Sequence, residues 1–566
     1  MPSAKAILVA AAVAFLTLAS GCFAPEGGLP GGGGGGEGAE TEWRFAQGSV
    51  DGRRASQDPG VTLASLPGFT QAWEARTKGA VTGTPTVAEG RVYVGTWKGV
   101  VYCLSAKDGS EVWSHDLGAQ VDASVTLAQG LALVGDSAGR LHALDWDTGE
   151  ERWNVLVDTS LHTHLYATPL VVPERAGRPA FVVQAVGSDQ ESARIHGEAP
   201  LDFRGHVDAL GLSDGKPIWR AELAKGGETG TPVWGTPVYD ASTDRVVFGT
   251  GNAYTKPAGE LTDSIMALAA ADGAVAWHYQ ATKGDVFTQT NPDSPDHDFG
   301  STPVLFTAGG RTLAGLGQKS SIFWAVDVAT GSLAWRSGST HSGEGIIGDG
   351  ALMGDALVVP YVSLEKVAAL SAADGTVRWE RGLAGRGYSD PVAVAGGAIV
   401  ADSGGRVHGL EAAGGREVWN VTVGEGAGVY GGLSVAEGTL FVPVVRGGFL
   451  AETGGVVAFR AGGAGTGTST SATSAARDGV AMVGFQFDPR VVHVKAGGSV
   501  TWRNEDPVLH TVTFVDGSFD RDVEEGASVT HRFGAKGTFQ YYCKPHATQT
   551  ADGSWQGMTG TVIVDP

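Results

Sequence analysis

Two imidazoles, a thiol and a thioether gather near the end of this chain. His510 opens "HTVTF", Cys543 and His546 stand in "YYCKPH", and Met558 follows in "GMTG". Only two other cysteines, Cys22 and Cys103, occur in 566 residues. This soft, mixed donor set suits a copper ion held in a trigonal plane by two nitrogens and a thiolate, with a weak axial thioether. Zinc prefers four short bonds and has little use for methionine. The flanking runs alternate apolar and polar residues and are joined by turns such as "KAGGSVTW". They predict a compact β domain over 480–566 that brings the four ligands together.

A second group of reactive side chains lies in the middle of the chain. Glu191 and Arg204 lie in "VGSDQESARIHGEAPLDFRGHVDAL", and Trp234 and Asn252 bracket "GTPVYDASTDRVVFGTGN". Asp296, Asp298 and Lys319 follow in "DHDFGSTPVLF" and "GQKSS". Taken singly, Asn252 is an ordinary turn residue, Trp234 a core residue, and the two aspartates solvated loop charges.

The elements that must position them come from a repeat. An apolar strand, an Asp/Thr/Ala-Gly turn and a tryptophan four residues after the glycine recur at Trp113, Trp153, Trp219, Trp277, Trp335, Trp379 and Trp419. Trp73 opens the series without a turn, and "TGGVVAFRA" closes it without a tryptophan. Pairing the first strand with the last unit closes a ring of eight. A repeat of about 40 residues built of short strands is the signature of a β-propeller. Each repeat tryptophan is read as a wedge between neighbouring blades. The units around Trp219, Trp277 and Trp335 are longer, and the extra length predicts loops on one binding face. The expected fold is therefore all-β: an eight-bladed propeller over 61–462, then a Greek-key β-sandwich.

Through "FRGHVDAL", "GTGNAYT", "DHDFGSTPVLF" and "GQKS", residues 65–462 resemble the quinoprotein alcohol dehydrogenases, nearest to their polyvinyl-alcohol-dehydrogenase-like branch. The resemblance implies pyrroloquinoline quinone (PQQ) stacked on Trp234, with Lys319 and Arg204 contacting the cofactor. It implies Ca²⁺ or a lanthanide held by Glu191 and Asn252, and Asp298 or Asp296 as catalytic base. Oxygen donors suit such a hard cation. Metal and lysine together would polarise a carbonyl while a carboxylate takes the alcohol proton. Two departures stand out. No vicinal cysteine pair exists, and "PLDFRG" stands where one branch has cysteines. "DHD" also offers a second carboxylate: with Asp296 as base, Asp298 is free to be an extra metal ligand.

The C-terminal domain resembles plastocyanin- and halocyanin-like cupredoxins through "VTWRNEDPVLHTVT" and "YYCKPH". It departs in the long "ATQTADGSWQ" loop before Met558, with its Trp555, and in Thr511 after the first histidine. The two resemblances together imply alcohol oxidation by the propeller and one-electron transfer to type 1 copper, then to an external carrier or a membrane oxidase. The alternative is a propeller without quinone, acting as a docking scaffold for a plain electron carrier.

The start of the chain reads as a secretory signal over 1–22. "LASGC" resembles a lipoprotein cleavage box ending at Cys22, although Ala19 stands where leucine is usual. Residues 23–60 read as a Gly-rich tether and 463–479 as a flexible linker. The expected location is extracytoplasmic, anchored to a membrane by lipid. A formal net charge of −21 disfavours nucleic acid as a partner. Cys103 and Cys543 have unlike surroundings, so a disulfide is not expected, and Cys103 reads as a small buried residue.

Overall fold

In the computed structural model, the described residues are 42–193, 201–288, 291, 294–341, 343–424, 426–447, 453–462, 479–483, 486–488, 491–504, 509–549 and 555–565. The signal segment, Cys22 and nearly all of the 463–479 linker lie outside them.

Among the described residues, seven four-stranded antiparallel sheets and a final five-stranded one follow one another between 69 and 461. In the last, Phe69–Lys78 pairs antiparallel with Thr453–Ala461, so the first strand completes the final sheet. The repeat signature has a physical cause at each joint. Trp113, for example, donates its indole N–H to the Trp146 carbonyl of the next sheet at 3.0 Å. Its ring lies against Gly149, where an added Cβ would stand 2.6 Å away. Gly149 also sits at φ 74°, which L side chains rarely adopt. The same joint recurs seven times, from Trp73 on Gly109 to Trp379 on Gly415.

A belt of side chains ties the inner edges of the sheets. The residue before each inner strand recurs in "GTPTV", "ATPLV", "GTPVY", "STPVL" and "SDPVA". The N–H groups of Thr84, Ser124 and Thr168 donate to the hydroxyls of Ser124, Thr168 and Thr236 in the next sheet. Thr302 N–H donates to Asp349 Oδ1, and Asp349 N–H to Asp390 Oδ1.

The part of the expected tether that is described, 42–60, is folded rather than loose. Trp43 exchanges two backbone hydrogen bonds with Val87. Further along, the carbonyls of Arg44, Val50, Asp51, Arg53 and Arg54 accept from Leu127, Tyr239, Leu305, Leu352 and Ala393, each in a different inner strand. Trp43 and Arg54 are both fully buried. The glycine run ends at Gly38, and from Trp43 the side chains are large enough to fill the end of the ring, which overrides the composition signal.

The C-terminal domain is a two-sheet sandwich of four and five strands. Its core gathers Trp502, Phe514, Tyr541, Cys543 and Met558. Part of the expected loop before Met558 is a hairpin arm: Gln549 pairs with Trp555 and Ala547 with Gly557.

Candidate active site and copper centre

A cavity of about 550 Å³ opens at the inner edges of the sheets, lined among others by Glu191, Trp234, Asp298 and Lys319. Lys319 organises it. Its Nζ donates to Asp296 Oδ1 at 2.8 Å and to Asp298 Oδ2 at 2.9 Å, and it lies 5.4 Å from the centre of the Trp234 ring. Its backbone N–H also donates to the Asp298 carbonyl. Burial works against the proton of the lysine. Asp298, Glu191 and Asp296 more than reverse that, and its pKa is raised well above the ordinary range.

Trp234 presents one face to the cavity because Gly300 backs the other: a Cβ there would fall 1.9 Å from the indole. Asp298 is 2 % exposed. Its Oδ1 accepts the Asn252 backbone N–H at 2.6 Å, so both of its oxygens have donors. Asp296 is more open and sits in the left-handed region at φ 52°, a strain tolerated by aspartate and common at functional sites. Burial and then Asp298 push its pKa up to about 6, against the pull of Lys319.

Two oxygens in this cluster lack partners. Asn252 Nδ2 donates to the carbonyls of Ala253 and Phe287, which fixes the amide and leaves Oδ1 buried with no donor among the described residues. Glu191 Oε2 is in the same state, and burial raises its pKa to about 8 despite Lys319. Unpaired buried acceptors are costly, and a hard cation is the partner these oxygens would take. The donor set therefore fits a divalent or trivalent metal, and the backed indole face fits a planar cofactor. Among the described residues Lys319 is the one lysine or arginine lining the cavity, so such a cation would also offset its carboxylates.

Arg204 is not brought to this site. It is exposed, its guanidinium bonds the Gly226 carbonyl, and it does not line the cavity. The neighbouring Phe203 takes the inward position and is fully buried, while Arg204 is exposed. The sequence reading also missed residues. His164 is held between Asp122 at 2.5 Å and Asp189 at 3.0 Å, with Tyr166 stacked on it at 3.8 Å. Burial works against its proton, but the two carboxylates raise its pKa to about 9. Asp263 is fully buried with neither oxygen bonded among the described residues; burial and Asp298 raise its pKa well above normal. Neither residue sits in a recognisable motif.

The copper candidates converge. Cys543 Sγ lies 3.5 Å from His510 Nδ1 and 3.3 Å from His546 Nδ1, and the two nitrogens are 3.0 Å apart. A point equidistant from the three atoms lies about 1.9 Å from each, near the roughly 2 Å of a metal–imidazole bond. The register pairs Tyr542 with Thr559 and so sets Met558 beside Cys543 in the sheet; both are buried in the same core. The Thr511 backbone N–H donates to Sγ at 3.3 Å, and its hydroxyl accepts Lys544 N–H at 2.8 Å. Trp555 stacks on Tyr542, next to the thiol, at 3.7 Å and 13°. Cys103 is free, fully buried and far from this chemistry in the sheet of Val100–Ser105.

Comparison with known proteins agrees with this division. The PQQ_2 family model, described as outer membrane protein assembly factor BamB, matches residues 61–255, 203–390 and 318–516. A model of copper binding proteins of the plastocyanin/azurin family matches 475–565. A polyvinylalcohol dehydrogenase of Sphingopyxis sp. (strain 113P3) is 25% identical over 501 residues, 74% of either chain. The quinohemoprotein alcohol dehydrogenase from Comamonas testosteroni shares the fold with a TM-score of 0.63 at 17% identity, over 75% of this chain and 81% of its own. A europium-containing methanol dehydrogenase does so at 0.60 and 18%, over 74% and 90%.

Proposed function

The chain belongs to the PQQ_2 repeat family and ends in a plastocyanin/azurin-family copper domain, and from that premise we propose that it is a PQQ-dependent alcohol dehydrogenase that reduces its own type 1 copper. One observation carries the reading: Lys319 binds Asp296 and Asp298 beside the open face of Trp234, with the unpartnered oxygens of Asn252 and Glu191 in the same cluster. The polyvinylalcohol dehydrogenase relative supports an alcohol as substrate.

Bound PQQ would supply a two-electron carbonyl acceptor, and copper a one-electron acceptor. Trp234 offers the stacking face. Glu191, Asn252 Oδ1 and Asp298 would hold Ca²⁺ or a lanthanide, and Lys319 would donate hydrogen bonds where negative charge develops. Asp296 takes the hydroxyl proton. It is the more open of the two carboxylates, and a pKa near 6 places it close to the working range of a general base. Asp298, with both oxygens engaged by donors, serves as ligand and as partner of Lys319. His510, Cys543, His546 and Met558 would hold the copper, which would supply a one-electron exit toward an external carrier or a membrane oxidase. An extracytoplasmic location with a lipid on Cys22 suits this chemistry; its support is the sequence alone.

The test is reconstitution with quinone, Ca²⁺ or a lanthanide, and copper, followed by an alcohol. The blue absorption should bleach at the rate of alcohol oxidation. Oxidation with the copper left oxidised would exclude internal transfer.

A further inference from the structure

The hydroxyl belt of the cavity floor is broken at one place. Five of its positions are Ser or Thr; the next two are Asp349 and Asp390, and the eighth is Gly432. The carboxylates keep the belt's hydrogen bonds through Oδ1, so a hydroxyl would serve the ring equally well. Their Oδ2 atoms are surplus to it, and both residues line the cavity.

Arg54, from the folded N-terminal segment, lies beneath them with its side chain fully buried. Its short hydrogen bonds go to the carbonyls of Pro391, Ala46 and Leu433 at 2.6–2.9 Å. Asp390 Oδ2 and Asp349 Oδ2 are farther from it, at 3.5 and 3.9 Å. One guanidinium thus offsets two carboxylates without saturating either. Gly432 makes the arrangement possible: a Cβ there would stand 2.2 Å from Thr84 Oγ1, 2.4 Å from Arg54 Nη2 and 2.5 Å from Asp390 Oδ2. A repeat that departs from its own pattern at adjoining positions, with a buried arginine brought in from elsewhere, departs for a reason other than folding.

We propose that Asp349 and Asp390 form a second recognition point in the cavity, accepting from a hydrogen-bond donor on the substrate remote from the reacting hydroxyl, with Arg54 as their positioning residue. Carboxylate oxygens facing the cavity accept hydrogen bonds, so the site selects alcohols with a second donor over simple alcohols. The inference rests on the alcohol dehydrogenase reading. The crowding of like charge fits it: burial and Asp390 hold the Asp349 carboxyl up at about 7, a cost that a donor would relieve.

The test restores the belt with the triple variant Arg54→Met, Asp349→Thr, Asp390→Thr, beside Arg54→Met alone. The single variant should melt well below the wild type and the triple should recover, because the carboxylates that Arg54 offsets are gone; no recovery would refute the positioning role. Among reconstituted enzymes, the wild type should prefer 1,3-butanediol to 2-butanol in kcat/KM by about tenfold or more, and the triple variant should lose that preference. A retained preference overturns the recognition point, as does a loss explained by lower quinone content. If the wild type turns over neither alcohol, the enzymatic reading falls instead. The recognition point is then judged by melting: a rise with the diol in the wild type but not the triple variant supports it, and equal responses overturn it.

Discussion

The two redox centres are built in opposite ways. The copper ligands come from one small domain, and three of them already lie within 3.5 Å of one another. The cavity site draws Glu191, Trp234, Asn252, Asp298 and Lys319 from loops of three successive sheets and holds them through charge. The first is a clip whose shape is set by packing in a shared core. The second is a balance, in which a buried lysine, several carboxylates and two unpartnered oxygens are compatible only because each offsets another. The clip should therefore fail at its ligands alone, and the balance at any charge.

The largest effect tests the clip. Cys543→Ser removes the thiolate, and the blue absorption should vanish completely, while quinone and Ca²⁺ or lanthanide content stay at wild-type levels. Spectroscopy and metal analysis of one preparation suffice; loss of both centres together would show that they are not independent. Next, Asp296→Asn should lower kcat by about 1,000-fold with the copper band intact. Retained turnover would move the base elsewhere, with Asp298 the first alternative.

Legibility follows the same division. His510, Cys543, His546 and Met558 could be read directly because strand register within one small domain decides where they meet. The ring was legible because the glycine under each tryptophan is a steric requirement that recurs. In the cavity the motif residues were legible, but their company was not. The belt threonines look like turn residues until the sheets are stacked. Asp122, His164 and Asp189 come together only through sheet closure. Arg54 follows a glycine run whose composition spoke for solvent. Arg204 misled for a simpler reason: its neighbour Phe203 takes the buried position and leaves it exposed.

A pH experiment probes the balance with a smaller effect. Glu191 has a folded pKa of about 8 without metal, well above the value of an unfolded glutamate. Between those two values the folded metal-free protein holds a proton that the unfolded chain has lost, so this residue's contribution to stability falls as pH rises through that window. Metal binding must expel the proton. Affinity for Ca²⁺ should thus rise with pH, by up to about tenfold per unit, and level off above pH 8. Calorimetric titrations from pH 6 to 9 would show it, and Glu191→Gln should flatten the dependence. A flat wild-type profile would remove Glu191 from the metal site.

The smallest effect returns to the clip. Thr511→Ala keeps the backbone N–H that reaches Cys543 Sγ and removes the hydroxyl that accepts Lys544 N–H. That hydroxyl also bonds Thr513, which in turn donates to Asp520. Losing one such acceptor costs about 1 kcal/mol, but the ligands remain packed in the same core. The copper-loaded protein should therefore melt a few degrees lower and stay blue, with copper affinity changed only a few-fold. Lys319→Met, by contrast, leaves Asp296 and Asp298 without their shared cation and should cost the cavity both turnover and stability. If Thr511→Ala instead bleaches the protein, the copper site depends on its surrounding bonds as the cavity does, and the contrast between clip and balance fails.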